Sequence, residues 1–154
     1  MTRKEKMQIY IDQSGRVEYT SHPTVVAYSN HKNRAVIISA SEKRKLKQVF
    51  REAGKPDIFA IKIFAILIFL SIEKDLPKIS SIIIDEEYTG KRPLIKKYLL
   101  ETIRKKGLDF NPHNISFLEI GKKAGAHKKA IAVFRGDDKA EIKVTSLEIV
   151  KWLI

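Results

Sequence analysis

The run Ile58 to Ile72 constrains this chain more than any other segment. Its 15 residues are interrupted by Lys62, and charges stand at both ends. A membrane-spanning helix needs about 20 apolar residues, so the run reads as a buried helix of a soluble protein. It is apolar nearly all round, and such a helix must be covered on every side. The rest of the chain therefore has to supply layers that enclose it. Pro56 suits the first turn of this helix, which is expected to run to about Lys74.

Met7 to Ile11 alternates and ends at Asp12-Gln-Ser-Gly15, a turn signal. Val17 to Thr20 and Thr24 to Tyr28 are β-prone, with Pro23 imposing a break or an edge. Ser29 to Asn33 is another turn, followed by the short apolar strand Ala35 to Ser39. Together these read as an antiparallel meander. Ser39-Ala-Ser-Glu42 fits a capping box, opening a helix from about 41 to 53 that stops at Gly54. Beyond the central helix, Lys78 to Asp85 carries a continuous apolar run, as in strands covered on both faces. Pro93 opens a helix that sets Ile95, Leu99 and Ile103 on one face before Gly107. Ile115 to Ile120 is a further strand. Ala126 to Arg135 reads as a helix, with a strand over Ile131 to Phe134 as the alternative. Thr145-Ser-Leu-Glu148 is a second capping box, opening a terminal helix through Trp152. With no repeat, low-complexity tract or linker, residues 1–154 read as a single α/β domain.

Charge points to the partner. Lys and Arg total 30 against 18 Asp and Glu, a net +12, which favours a polyanion, most often nucleic acid. The alternative is a heavily charged surface of thermophile type. The basic residues cluster: Lys43, Arg44, Lys45, Lys47 and Arg51 on one helix; Lys91, Arg92, Lys96 and Lys97 after Asp85; Lys122, Lys123, Lys128 and Lys129 around His127. Few acids are interleaved, which argues against simple i, i+4 ion pairing. Lys91, Arg92, Lys122, Lys123, His127 and Lys128 are the candidate nucleic-acid contacts. The absence of cysteine excludes disulfides, cysteine zinc sites, iron–sulfur clusters and thiol catalysis. A cytoplasmic location is the default expectation. Met1 to Lys6 lacks the apolar run of a secretory signal, and no membrane association is expected. No His-Glu-x-x-His, P-loop or Gly-x-Gly-x-x-Gly pattern occurs, so zinc proteases, P-loop NTPases and dinucleotide enzymes lose their usual support.

Antiparallel strands followed by βαβ units limit the topologies, and the layout resembles the RNase H-like fold. Its nucleases carry an Asp on the first strand, an acid on the first helix, a third at the end of the fourth strand and a last on the final helix. Ile9-Tyr-Ile-Asp12-Gln-Ser-Gly15 matches the first position and Ile82-Ile-Ile-Asp85 the third. The stretch from Ile84-Asp85-Glu86-Glu87-Tyr88-Thr89-Gly90 to Ile120-Gly-Lys-Lys123 and His127 is also similar to a group of uncharacterised archaeal proteins. The resemblance implies an RNase H-like mixed sheet flanked by helices and a metal-dependent nuclease or related phosphoryl-transfer activity. Asp12 and Asp85 would hold two Mg²⁺ or Mn²⁺ ions, with Glu86 and Asp57 as further catalytic candidates. Two such ions about 3.5–4 Å apart stabilise the attacking and leaving oxygens of a phosphodiester, and Mg²⁺ takes hard carboxylate ligands. His127 could contact a phosphate or assist proton transfer.

Each acid also has a local explanation. Asp12 heads a good turn, Asp85 with Glu86 and Glu87 fits a solvated loop, and Asp57 suits a helix N-terminus. Glu52 is an alternative helix acid. Asp137 and Asp138 look like turn residues and Glu148 like a capping residue, so the last acid has no clear match. A non-catalytic nucleic-acid-binding domain of the same fold is therefore the alternative function, and a scaffold for a protein partner is a third.

Overall fold

A computed structural model describes residues 6–30, 32–122 and 124–153. Six strands form one mixed sheet in the order β5-β4-β1-β2-β3-β6. The strands are β1 (Met7–Ser14), β2 (Thr24–Ser29), β3 (Asn33–Ile38), β4 (Ile79–Asp85), β5 (Ile115–Leu118) and β6 (Ile142–Val144). β1, β2 and β3 pair antiparallel, while β4 runs parallel to β1, β5 to β4 and β6 to β3. The helices are α1 (Ala40–Glu52), α2 (Phe59–Ile72), α3 (Arg92–Lys105), α4 (Gly125–Arg135) and α5 (Ser146–Val150). The α/β class and the antiparallel-then-parallel order match the sequence reading. No described helix is long and apolar enough to cross a membrane.

Helix α2 is the centre. Ile63 through Phe69 are all buried, and they join Ile9, Ile11, Ile82 and Ile84 of the sheet in the main core. That placement satisfies the all-round apolarity of the segment, because sheet and helices cover it together. The opposite face has a smaller core in which Ala130 and Val133 of α4 meet Val25, Ala27 and Ala35. Small residues on both surfaces let this helix approach β2 and β3 closely.

The caps form with one modification. Ser39 accepts from the Glu42 N–H at 3.3 Å and Thr145 from the Glu148 N–H at 3.4 Å. The Glu42 carboxylate, however, accepts from the Ser146 hydroxyl at 2.9 Å. It thereby ties the start of α1 to the start of α5.

Two expectations change. Val17 to Thr20 is a loop, not a strand. β1 pairs directly with β2 through Ser14 and Val25, leaving 15–23 as the connection. Val17 turns fully into the core, and the buried Lys43 ammonium donates to the Arg16 and Tyr19 carbonyls and the Thr24 hydroxyl. Segment 131–134 belongs to α4, settling the alternative in favour of helix. The short strand β6 was not foreseen.

Candidate metal centre

Parallel pairing of β1 with β4 sets Ile11 beside Ile84, so Asp12 and Asp85 come next to each other at the carboxyl ends of adjoining strands. Ligands of α/β sheets usually bind at such ends. Glu87 joins them from the segment just beyond β4. One carboxylate oxygen from each of Asp12, Asp85 and Glu87 lies within 4.8 Å of the other two. They share an open pocket of about 300 Å³ with Gln13, Glu86, Glu119, Gly121, Lys122 and His127.

Asp12 is 3% exposed. Its Oδ1 accepts from the Gln13 N–H at 2.8 Å, and its Oδ2 lies 2.8 Å from His127 Nδ1. An ionised carboxylate can only accept, so Nδ1 is the donor of this bond when Asp12 is ionised. Asp85 Oδ1 accepts from the Ile120 N–H at 2.8 Å, which anchors the loop after β5 over the pocket.

Burial pushes the Asp12 carboxyl above its usual value, and the Asp85 charge adds to this, while the Gln13 N–H and His127 oppose it. Glu87 is pushed up to about 8, first by burial and then by its contacts with Asp85 and Asp12. Three carboxylates at this spacing cannot all be ionised cheaply without a cation.

Tyr88 fixes the Glu87 segment. Its hydroxyl lies 3.2 Å from both Gln13 Oε1 and Glu18 Oε1 and accepts from the Val17 N–H. Its ring packs on Phe64 of α2. The central helix thus braces the loop that carries the third carboxylate.

The remaining candidates divide. Glu86 lines the pocket, yet it is held by Arg92 in a two-pronged ion pair that keeps its carboxyl below the usual range. Arg92 is correspondingly engaged. Asp57 is exposed on the short 3-10 turn Pro56–Ile58 and is not part of the described cluster. Lys122 lines the pocket, and Lys91 and Lys128 are exposed. Lys123 lies outside the described residues. Two lysines of the basic clusters are committed within the fold: Lys43, as above, and Lys129, which donates to Asp138, Glu141 and the Lys139 carbonyl.

Glu87 is the site residue that the sequence reading set aside in favour of Glu86. The signal was present, because side chains two apart in an extended segment share a side, and Asp85 and Glu87 have that spacing. Glu119 had no such signal, since its place depends on the loop after β5.

Among known proteins, no family model and no curated protein matches the chain.

Proposed function

We propose that the protein is a metal-dependent nuclease, or a related phosphoryl-transfer enzyme acting on nucleic acid, on an RNase H-like domain. The observation that carries this reading is the convergence of Asp12, Asp85 and Glu87 within 4.8 Å at paired strand ends. The antiparallel-then-parallel strand arrangement supports the fold assignment.

The donor set fits the metal. Three carboxylates offer only hard oxygen ligands, which suit Mg²⁺ or Mn²⁺, and a cation offsets the burial and the mutual repulsion that together hold Asp12 and Glu87 high. Asp12, Asp85 and Glu87 would hold the ions. Bound divalent cations supply charge stabilisation at phosphate oxygens and a more acidic water.

The chain's own groups do the rest. His127 fixes the Asp12 carboxylate at the pocket wall, Gln13 and Ile120 N–H groups hold the two aspartates, and Lys122 offers a phosphate a counter-charge. Glu86 keeps Arg92 in place.

The test is cleavage of labelled RNA, DNA and hybrid duplexes with Mn²⁺ or Mg²⁺. Asp85→Asn and Glu87→Gln are expected to lose more than the roughly 100-fold associated with metal-site support residues. Glu86→Gln is expected to retain most of the rate. Equal cleavage by wild type and Asp85→Asn overturns the reading.

The position of Asp57 outside the cluster favours one second reading, a non-catalytic nucleic-acid-binding domain. Salt-dependent binding without cleavage would establish it.

A further inference from the structure

One apolar side chain is out of place on α1. The exposed residues of that helix are polar or charged except Val49, which is 38% exposed. An exposed valine is ordinary by itself, but this one walls a recess. Val49 borders an open groove of about 220 Å³ where α1, the start of α2 and α5 meet. Buried Phe50 lies beneath it, and the half-buried Val150 and Leu153 line it from the side of α5. Among the described residues, the polar lining of this groove is two cations, Lys55 and Lys62, and no carboxylate.

These cations lack counter-charge. Neither makes a salt bridge among the described residues. Lys62 is half-buried on α2, and its ammonium lies 5.4 Å from the centre of the Tyr98 ring. Burial pulls it below the usual lysine range. The charges of Lys105, Lys55 and Lys97 add to this, while Glu101 opposes it. An anion brought beside Lys62 would offset that crowding.

Size, charge and shape select the occupant. Small-molecule sites commonly hold about 300–1,000 Å³, so this smaller groove suits one or two side chains. Two cations without a carboxylate call for acidic neighbours to those side chains. A second copy of the chain is disfavoured, because a two-fold contact would set Lys55 and Lys62 against their own equivalents. A bilayer receives protruding apolar groups and would leave this recess unfilled.

We propose that the groove docks an acidic peptide segment of a protein partner, with an apolar side chain seated on Phe50 between Val49 and Val150 and flanking carboxylates on Lys55 and Lys62. It shares no lining residue with the pocket of the acidic cluster, so the proposal stands apart from the nuclease reading.

Random peptides displayed on phage, selected on immobilised full-length protein, test this. Enriched sequences are expected to carry net negative charge around a Leu, Ile, Phe or Trp. Fluorescent copies of these peptides are then titrated by anisotropy with wild type, Val49→Asp and Lys55→Gln/Lys62→Gln, after thermal melts confirm folding. Val49→Asp should weaken binding at least about tenfold, as loss of a central anchor contact does. The double lysine variant should weaken it too and make it less sensitive to salt. If Val49→Asp fails to fold, the double variant decides.

Enrichment of neutral or basic peptides overturns the proposal, as does no enrichment over the bare support. So does wild-type affinity in the folded variants, or equally tight binding of polyaspartate, which has no apolar anchor. Single-stranded RNA or phosphatidylserine vesicles that bind more tightly than the peptides, and lose binding in Val49→Asp, would give the groove to another class of partner and overturn it as well.

Discussion

Glu86 and Glu87 are adjacent and chemically alike, yet opposite shifts separate them. Glu86 faces Arg92 and is held ionised, whereas Glu87 is half-buried against two aspartates and resists ionisation. Spacing from Asp85 gives that difference a simple origin, since only the i+2 residue returns to the side of the strand on which Asp85 stands. Gly15 is equally specific. It has φ +75°, and a Cβ there would run into the Pro23 carbonyl and the Phe134 ring. Gly15→Ala should lower stability by about 2–4 kcal/mol through left-handed backbone strain and overpacking, read as a lower urea midpoint at unchanged m. An unchanged midpoint would show that the loop relaxes around the methyl group.

At the scale of elements, Lys43 joins α1 to the loop that replaced an expected strand. Its three acceptors match the three donors of an ammonium. Burial nevertheless pulls it down to about 8 from 10.5. Between those values the unfolded chain binds the proton that the folded chain has released. Stability contributed by this group therefore rises with pH from about 8 toward 10.5 and is lowest below 8. The rise should amount to about 1–2 kcal/mol by pH 10. It is measured as the difference in denaturation free energy between wild type and Lys43→Met across pH 7–10. Parallel pH profiles would place the ammonium in a better solvated setting. Burial also raises the Tyr28 and Tyr88 hydroxyls, which opposes this rise near and above pH 10, so the comparison with the variant isolates Lys43.

Other elements show how far local sequence reaches. The central helix, the β4 run and the α1 and α5 caps were legible because periodicity and capping chemistry are local. β6 was not. Ile142–Val144 is three residues long and becomes a strand only by pairing with Val36 to Ile38. The 15–23 loop fails as a strand for the reciprocal reason: β2 already occupies the edge of β1 that Val17 to Thr20 would have joined.

For the whole molecule, the basic excess is divided between fold and surface. Lys43 and Lys129 are bound internally and Arg92 serves Glu86, while Lys122 and Lys128 stay near the pocket. On the nucleic-acid reading, each phosphate neutralised on a single strand contributes about 0.7 to the slope of log K against log salt. The double variant Lys122→Ala/Lys128→Ala should make that slope shallower by about 1.4 in anisotropy titrations at several salt concentrations. An unchanged slope would remove both residues from the phosphate path.

The sequence by itself determined the α/β class, the burial of most of 58–72, the ends of most helices and the position of Asp85 at the end of its strand. These follow from apolar periodicity, capping and turn chemistry, which act over a few residues. β1, by contrast, runs past Asp12 to Ser14 where a turn was expected. Only the tertiary structure decided that Glu87 rather than Asp57 completes the cluster and that His127 bonds to Asp12. Those outcomes depend on strand order and register, which bring together residues as far apart as 12 and 127.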